Sequence, residues 1–276
     1  MQTENRQFIS VKNIFRTKSP RLARWMPGFV LGWVARMVKE SQINDTMARI
    51  GHFQGLDFCQ GVIDELEINL KTNGLENIPK TGGVILVSNH PLGGPDGIAL
   101  LLVVSRQRKD MVFLVNDILM NLTNLESLFV PVNKHGSNSR QASARIEEAY
   151  ASDKAVLIFP AGLVSRKHSN GISDVTWNKS FVSRSVKYKK DVVPVHIDGH
   201  NSRLFYNLAS WRKKLGIKTN IEMFLLPREL FGQRGKTITI TFGKPVSYTH
   251  FDNSASERHW ASEMRKTVYT LAKNRR

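Results

Sequence analysis

Val84-Ile85-Leu86-Val87-Ser88-Asn89-His90-Pro91-Leu92-Gly93-Gly94-Pro95-Asp96-Gly97 is the stretch on which the reading of this chain turns. Its first four residues are apolar and three of them are β-branched, the composition of a short buried strand. Ser88, Asn89 and His90 stand where that strand emerges. Pro91 and the glycines after it cannot continue a strand, so His90 and Asp96 belong to a tight loop. Asp96-Gly97 then opens the run Ile98 to Val103, a helix with an acidic residue in its first turn. A histidine and an aspartate at the end of a buried strand are the minimum needed for a general base oriented by a carboxylate. Taken alone, the same pattern equally describes a surface histidine or a structural hydrogen bonder.

Bulk properties narrow the classes. At 276 residues the chain can form one well-buried domain with an appendage, or two small domains. The single Cys59 excludes an intrachain disulfide framework and a Cys-rich zinc site, and fits a reducing compartment. His52, His135, His168, His250 and His259 share no spacing that would make a metal site. The net charge of +17, from 40 basic and 23 acidic residues, calls for an anionic partner. Nucleic acid, anionic lipid and an acidic carrier protein all qualify, but no nucleic-acid-binding signature is found. There is no secretory signal and no run of eighteen uncharged apolar residues, so a standard spanning helix is not expected.

Residues 1–66 read as an N-terminal amphipathic, membrane-docking helical segment, and 67–276 as a single domain. Leu22, Trp25, Met26, Phe29, Val30, Trp33, Val34 and Met37 recur at three- and four-residue spacing and share one helical face. Arg21, Arg24, Arg36 and Lys39 bracket them, which suits a helix that sinks its apolar side into lipid. Packing of that face on the protein core is the competing reading. Later strands are expected at 67–70, 111–115, 128–132, 155–159, 192–197, 222–226 and 237–242, with helices at 137–150 and 257–275. Strands alternating with helices indicate an α/β fold, here a mixed sheet flanked by helices, with the site on strand-end loops.

Four junctions share one grammar, an apolar run followed by Gly, Pro and polar residues. They are Ser88-Asn89-His90-Pro91, Phe129-Val130-Pro131-Val132-Asn133-Lys134, Phe159-Pro160-Ala161-Gly162-Leu163-Val164-Ser165-Arg166 and Val193-Pro194-Val195. In this order, between about Gly74 and Pro245, they resemble the phospholipid/glycerol acyltransferase (PlsC-like) family. The resemblance implies the glycerolipid acyltransferase fold and a reaction in which His90 deprotonates an acceptor hydroxyl that attacks an acyl thioester. Asp96 would fix the ring tautomer and stabilise the imidazolium. Acyl carrier protein or coenzyme A would bring the acyl group as co-substrate, with no metal or other cofactor.

Two departures from the family pattern bear on the acceptor. Five residues separate His90 from Asp96 where the family has four, an insertion that Gly93 and Gly94 can absorb. The third junction has Ala161 in place of the family's glutamate, and Leu163 and Val164 in place of its Thr and Arg. Loss of a hydrogen-bonding pair from a polar acceptor site should cost about 2–4 kcal/mol in recognition, so lysophosphatidate is the weaker acceptor candidate.

Asn89-His90-Pro91-Leu92-Gly93-Gly94 with Phe159-Pro160-Ala161-Gly162 is similar to bacterial lyso-aminolipid (ornithine or glycine lipid) O-acyltransferases and hemolysin-like acyltransferases. That resemblance implies a lyso-aminolipid acceptor. Candidate acceptor, oxyanion or head-group residues are then Asn89, Asn133, Lys134, Gly162, Ser165, Arg166, Lys167 and Arg184. The implied location is peripheral or monotopic, on the cytoplasmic face of a bacterial inner membrane, with an anionic membrane surface as partner and no nucleic acid. A non-catalytic membrane-binding protein of the same fold stays open. A hydrolase lacks the Gly-x-Ser-x-Gly elbow that would supply its nucleophile.

Overall fold

The computed structural model describes residues 8–18, 24–25, 27–116, 119–120, 122–132 and 140–272. Of the residues singled out above, Arg21, Leu22, Met26, Asn133, Lys134 and His135 lie outside the described ones.

A seven-stranded sheet organises the chain, in the order β1-β9-β8-β2-β5-β3-β4. Its strands are β1 (Asn69–Asn73), β2 (Val84–Ser88), β3 (Met111–Asn116), β4 (Phe129–Val132), β5 (Ala155–Ile158), β8 (Val192–Ile197) and β9 (Thr237–Phe242). All neighbours are parallel except β8 and β9, so the sheet is mixed, as expected from the sequence. The quoted strand is the central one. Every residue of β2 is buried, with Val84 and Leu86 in the core on one face and Ile85 and Val87 in the core on the other. Burial on both faces is why this strand reads as a continuous apolar run and not an alternating one.

On the first face lie α4 (Gly55–Glu65) and α5 (Gly94–Ser105). Nine residues of α5 are buried, the composition of a helix apolar all round because it is sandwiched between sheet and neighbour. Phe58, Cys59, Val62 and Ile63 of α4 belong to the same core as the sheet. The packed domain therefore begins before residue 67, the boundary taken from the sequence. On the second face lie α6 (Arg140–Ala151), α7 (Ser180–Tyr188) and α10 (Glu257–Leu271).

The structure adds two local features and corrects one reading. Residues 41–66 form two helices, α3 (Glu40–Ile50) and α4, parted at Gly51. The basic loop after β5 contains a hairpin, β6 (Arg166–His168) with β7 (Gly171–Ser173). The apolar run 222–226 is not a strand but a 3₁₀ turn (Ile221–Leu225) leading into α9 (Leu226–Phe231), packed on α8 (Arg203–Lys214). Glu222 and Leu225 are its buried residues, a spacing of three that belongs to a helix. A short apolar run cannot be told from a buried helical turn by periodicity alone.

At the N-terminus, α1 (Val11–Lys18) is tied to α3: Val11 N–H donates to Glu40 Oε2 at 2.8 Å, and Asn44 exchanges two hydrogen bonds with the Ile9 backbone. The helix α2 (Gly28–Met37) has no buried residue. Its apolar positions divide: Val30, Val34 and Met37 are half-buried, whereas Phe29 and Trp33 are 79% and 60% exposed, and Trp25, ahead of the helix, is 85% exposed. No helix among the described residues is long and apolar enough to cross a membrane.

Candidate active site

The parallel strands β2, β3, β4, β5 and β8 deliver their carboxyl ends to one edge of the sheet, where strand order reverses around β2. Such an edge is where open α/β sheets place ligands. His90 leaves β2 there, and its Nδ1 lies 2.9 Å from Asp96 Oδ2. The same carboxylate oxygen accepts the backbone N–H groups of Leu92 at 2.8 Å and Gly93 at 3.0 Å. With three donors converging on it, that oxygen assigns the proton to His90 Nδ1 and leaves Nε2 as the acceptor.

The loop is short enough to need a special backbone. Gly93 has φ +93° and ψ −122°, a conformation that essentially only glycine adopts. This residue returns the chain so that Asp96, in the first turn of α5, reaches back to the ring despite the extra residue. Asp96 is fully buried. Burial pushes its carboxyl above the usual carboxylate range, while His90 and the two backbone donors pull the other way.

The ring is also held from its face. His90 stacks on Phe159 with centroids 4.0 Å apart, and Phe113 meets Phe159 edge-on at 5.0 Å. A Cβ on Gly97 would approach Phe113 to 2.9 Å, so the glycine leaves room for that aromatic support.

The backbone of His90 is fixed by Ser165, a candidate from the sequence, and by Asp174, which the sequence reading did not single out. Its N–H donates to Asp174 Oδ1 at 3.2 Å, and its carbonyl accepts the Ser165 N–H at 2.7 Å. Ser165 Oγ donates to the same Asp174 oxygen at 2.5 Å, and Trp177 Nε1 donates to the other at 2.9 Å. The Asp174 N–H donates to Tyr269 Oη at 2.7 Å, and Arg265 donates to its carbonyl at 2.6 Å. Asp174 is the only acidic residue between Asp153 and Asp191, in a stretch rich in Lys and Arg. That lone carboxylate is the signal from which it could have been found.

The other candidates separate. Asn89 directs its side chain into the sheet: its amide donates to Ile197 O at 2.8 Å and accepts Ile197 N–H at 2.7 Å. It extends the β2–β8 pairing and is not turned to a ligand, contrary to the head-group or oxyanion role expected for it. Ser165 likewise holds the His90 backbone. Arg166 donates to buried Glu222 at 2.8 Å and to Val164 O at 2.6 Å, and its guanidinium lies over Phe205. Arg212 approaches the same Glu222 carboxylate at 2.8 Å. Burial lowers the affinity of Arg166 for its proton.

Arg184 is engaged elsewhere, donating to Glu147 in the seam of α6 and α7 at 2.7 Å. Lys167 is exposed on β6, and Gly162 makes a turn with φ +59°. Cys59 is buried in the core and burial pushes its thiol up to about 12, which removes it as a nucleophile at neutral pH.

A cleft of about 420 Å³ opens at the ends of β3, β4 and β5. Leu114, Asn116, Val132, Ile158, Phe159 and Trp177 line it. Phe159 thus has His90 stacked on its ring and also forms a wall of the cleft.

A histidine oriented by a buried carboxylate is an arrangement suited to acyl transfer to an alcohol. A family described as acyltransferase matches residues 13–275. The chain belongs to that acyltransferase family. The lyso-glycine lipid O-acyltransferase of Bacteroides thetaiotaomicron is 42% identical over 264 residues, covering 95% of this chain and 97% of that protein. The lyso-glycine lipid O-acyltransferase of Phocaeicola vulgatus is 40% identical over 264 residues, covering 95% of each.

The crystal structure of the 1-acyl-sn-glycerophosphate acyltransferase PlsC from Thermotoga maritima shares 19% identity with a TM-score of 0.46, covering 90% of this acyltransferase and 94% of that chain. Among the described residues of the acyltransferase, no group of three or more His, Cys, Asp or Glu is placed to hold a metal ion.

Proposed function

We propose that the enzyme transfers a fatty acyl group from an acyl-carrier-protein or coenzyme A thioester to the hydroxyl of a lyso-glycine lipid. The observation that carries this is the identity of 42% across nearly the whole of a lyso-glycine lipid O-acyltransferase. It is supported by the intact His90–Asp96 pair and by Ala161 standing where lysophosphatidate enzymes have an acid.

In this mechanism His90 Nε2 takes the proton of the acceptor hydroxyl as its oxygen attacks the thioester carbonyl carbon. Asp96 holds Nδ1–H and stabilises the imidazolium formed. Collapse of the tetrahedral intermediate breaks the C–S bond, and the imidazolium returns its proton to the departing thiolate, leaving an ester, a free thiol and neutral His90. The cleft beside Phe159 would take the acyl chain, and the exposed cation Lys167 would attract the glycine carboxylate, a role the sequence also offers for Lys134. Arg166, already paired with Glu222, would contribute field more than direct contact.

The protein acts in this reading from the cytoplasmic face of a bacterial inner membrane, as a peripheral or monotopic enzyme docked through Trp25, Phe29 and Trp33. Partition of both lipids into a bilayer makes such docking useful, because the acceptor never has to leave it. The test is an assay of purified protein with acyl donor and either lyso-glycine lipid, lyso-ornithine lipid or lysophosphatidate. Preference for the glycine lipid is the expected result; preference for the phosphate acceptor overturns it.

A further inference from the structure

Residues 203–224 carry a second apolar surface that neither the reaction nor the packing of the core uses. On α8, Phe205, Tyr206 and Ala209 are buried. Leu204, Trp211 and, just past the end of the helix, Leu215 run beside them at spacings of seven and four, forming a separate stripe. Trp211 is 61% exposed and Leu215 73%, and Phe224, on the 3₁₀ turn packed against α8, is 59% exposed. Exposed aromatic and aliphatic groups gathered this closely mark a contact surface and not ordinary scatter.

The charge around the stripe has one sign. Between Gly199 and Ile221 the chain has Arg203, Arg212, Lys213, Lys214 and Lys218 and no acidic residue. Arg212 approaches buried Glu222. Lys213, Lys214 and Lys218 are exposed, and no carboxylate pairs with them among the described residues.

Beneath this surface α8 and α2 meet at one cluster. Met37 of α2 and Leu208 of α8 pack on one small cluster made of Val164, Phe205, Tyr206 and Leu225. That cluster borders the His90 loop: a Cβ on Gly93 would meet Leu226 at 3.1 Å and Val164 at 3.5 Å.

We infer that the face formed by Leu204, Trp211, Leu215, Ile217 and Phe224, with Lys213, Lys214 and Lys218, is a second docking surface for an anionic lipid bilayer. Trp and Leu enter the headgroup boundary while the lysines reach the lipid phosphates, the division of labour of an interfacial amphipathic helix. With α2 it gives the enzyme two points of contact on either side of the cluster beside the His90 loop. Two points fix orientation where one helix leaves the molecule free to pivot, and they present the loop to hydroxyls at the bilayer surface. The inference extends the membrane reading above but does not depend on which lyso-lipid is the acceptor.

Full-length protein is co-sedimented with vesicles of phosphatidylcholine alone and of phosphatidylcholine containing phosphatidylglycerol. Two variants are compared with wild type, Trp211→Ser/Leu215→Ser and Lys213→Gln/Lys214→Gln/Lys218→Gln. The lysine variant is expected to lose about tenfold or more in binding to the anionic vesicles only. The apolar variant is expected to weaken on both. Melting temperature and turnover with detergent-dispersed substrates stay at wild-type values, which separates loss of docking from loss of fold.

Trp25→Ser/Phe29→Ser/Trp33→Ser is scored separately, so that failure of the α2 reading is distinguishable from failure of this one. Vesicle binding by both α8 variants equal to wild type overturns the inference. So does a wild-type dimer in gel filtration that Trp211→Ser/Leu215→Ser converts to monomer, since the face would then belong to a second copy of the chain.

Discussion

The His90 loop and the exposed face of α2 are built on opposite principles. In the loop, polar groups are satisfied internally: Asp96 collects three donors on one oxygen, and Asp174 gathers His90, Ser165 and Trp177. On α2 and just ahead of it, Phe29, Trp33 and Trp25 touch little of the protein they belong to. The loop's geometry is fixed by the protein's own groups, which is what the base proposed for it requires. The helix face has large apolar surface left without an internal partner, which makes sense when the partner is outside the molecule. Damage to the loop should therefore appear in turnover, and damage to the helix in localisation.

His90→Ala tests the largest effect. Acyl transfer should fall to background while the melting temperature stays near wild type, because the loop backbone is held by Ser165 and Asp174 independently of the ring. Wild-type turnover by the purified variant would remove His90 from the reaction.

Asp96→Asn comes next, with an expected fall of about 10²–10⁴ in kcat, since the amide cannot stabilise the imidazolium. A drop confined to KM would argue against that role. Asp174→Asn should cost about 10- to 100-fold, by loosening the His90 backbone and not the proton transfer. Its pH–rate profile should therefore keep the wild-type shape, whereas that of Asp96→Asn should change.

Trp25→Ser/Phe29→Ser/Trp33→Ser should leave stability and turnover in detergent unchanged while reducing vesicle binding, each side chain contributing about 1–3 kcal/mol of transfer. A variant that unfolds would mean that the face packs against protein.

The smallest effect belongs to Glu147, far from the loop in its contacts. Lys187 and Tyr188, then Arg184, bring its carboxyl down from the usual carboxylate range to about 2. A depressed carboxylate stabilises the fold at pH values above its ordinary titration and loses that contribution as pH falls toward the folded value. Glu147→Gln should thus cost under about 1 kcal/mol at neutral pH, since the group is part-exposed. That cost should fade in acid melts. Arg184→Ala should leave turnover intact; a fall in acyl transfer would bring Arg184 back into the site.

Much of this was legible without coordinates. The strands at 84–87, 111–115, 155–159, 192–197 and 237–242 could be read because each is a β-branched run bounded by Gly, Pro or polar residues. The terminal helix was legible through the spacing of Trp260, Met264, Val268 and Leu271. The turn at 222–226 was misread because four adjacent apolar residues have no period to distinguish strand from helix. Helix α8 passed unremarked, and with it the stripe of Leu204, Trp211 and Leu215. Of the polar candidates, His90 and Asp96 met as expected across the inserted glycine. Asn89, Ser165, Arg166 and Arg184 each found partners within the protein.

The amino-acid sequence determined the α/β class, the strand that heads the site, the His90–Asp96 pair and the family, because these are written in local runs and short spacings. Only the tertiary structure decided which polar residues are held internally. Asn89 meets Ile197 across 108 residues and His90 meets Asp174 across 84. Such partners are chosen by sheet order and loop packing. No periodicity along the chain encodes them, because hydrogen bonding is satisfied in space and not in sequence.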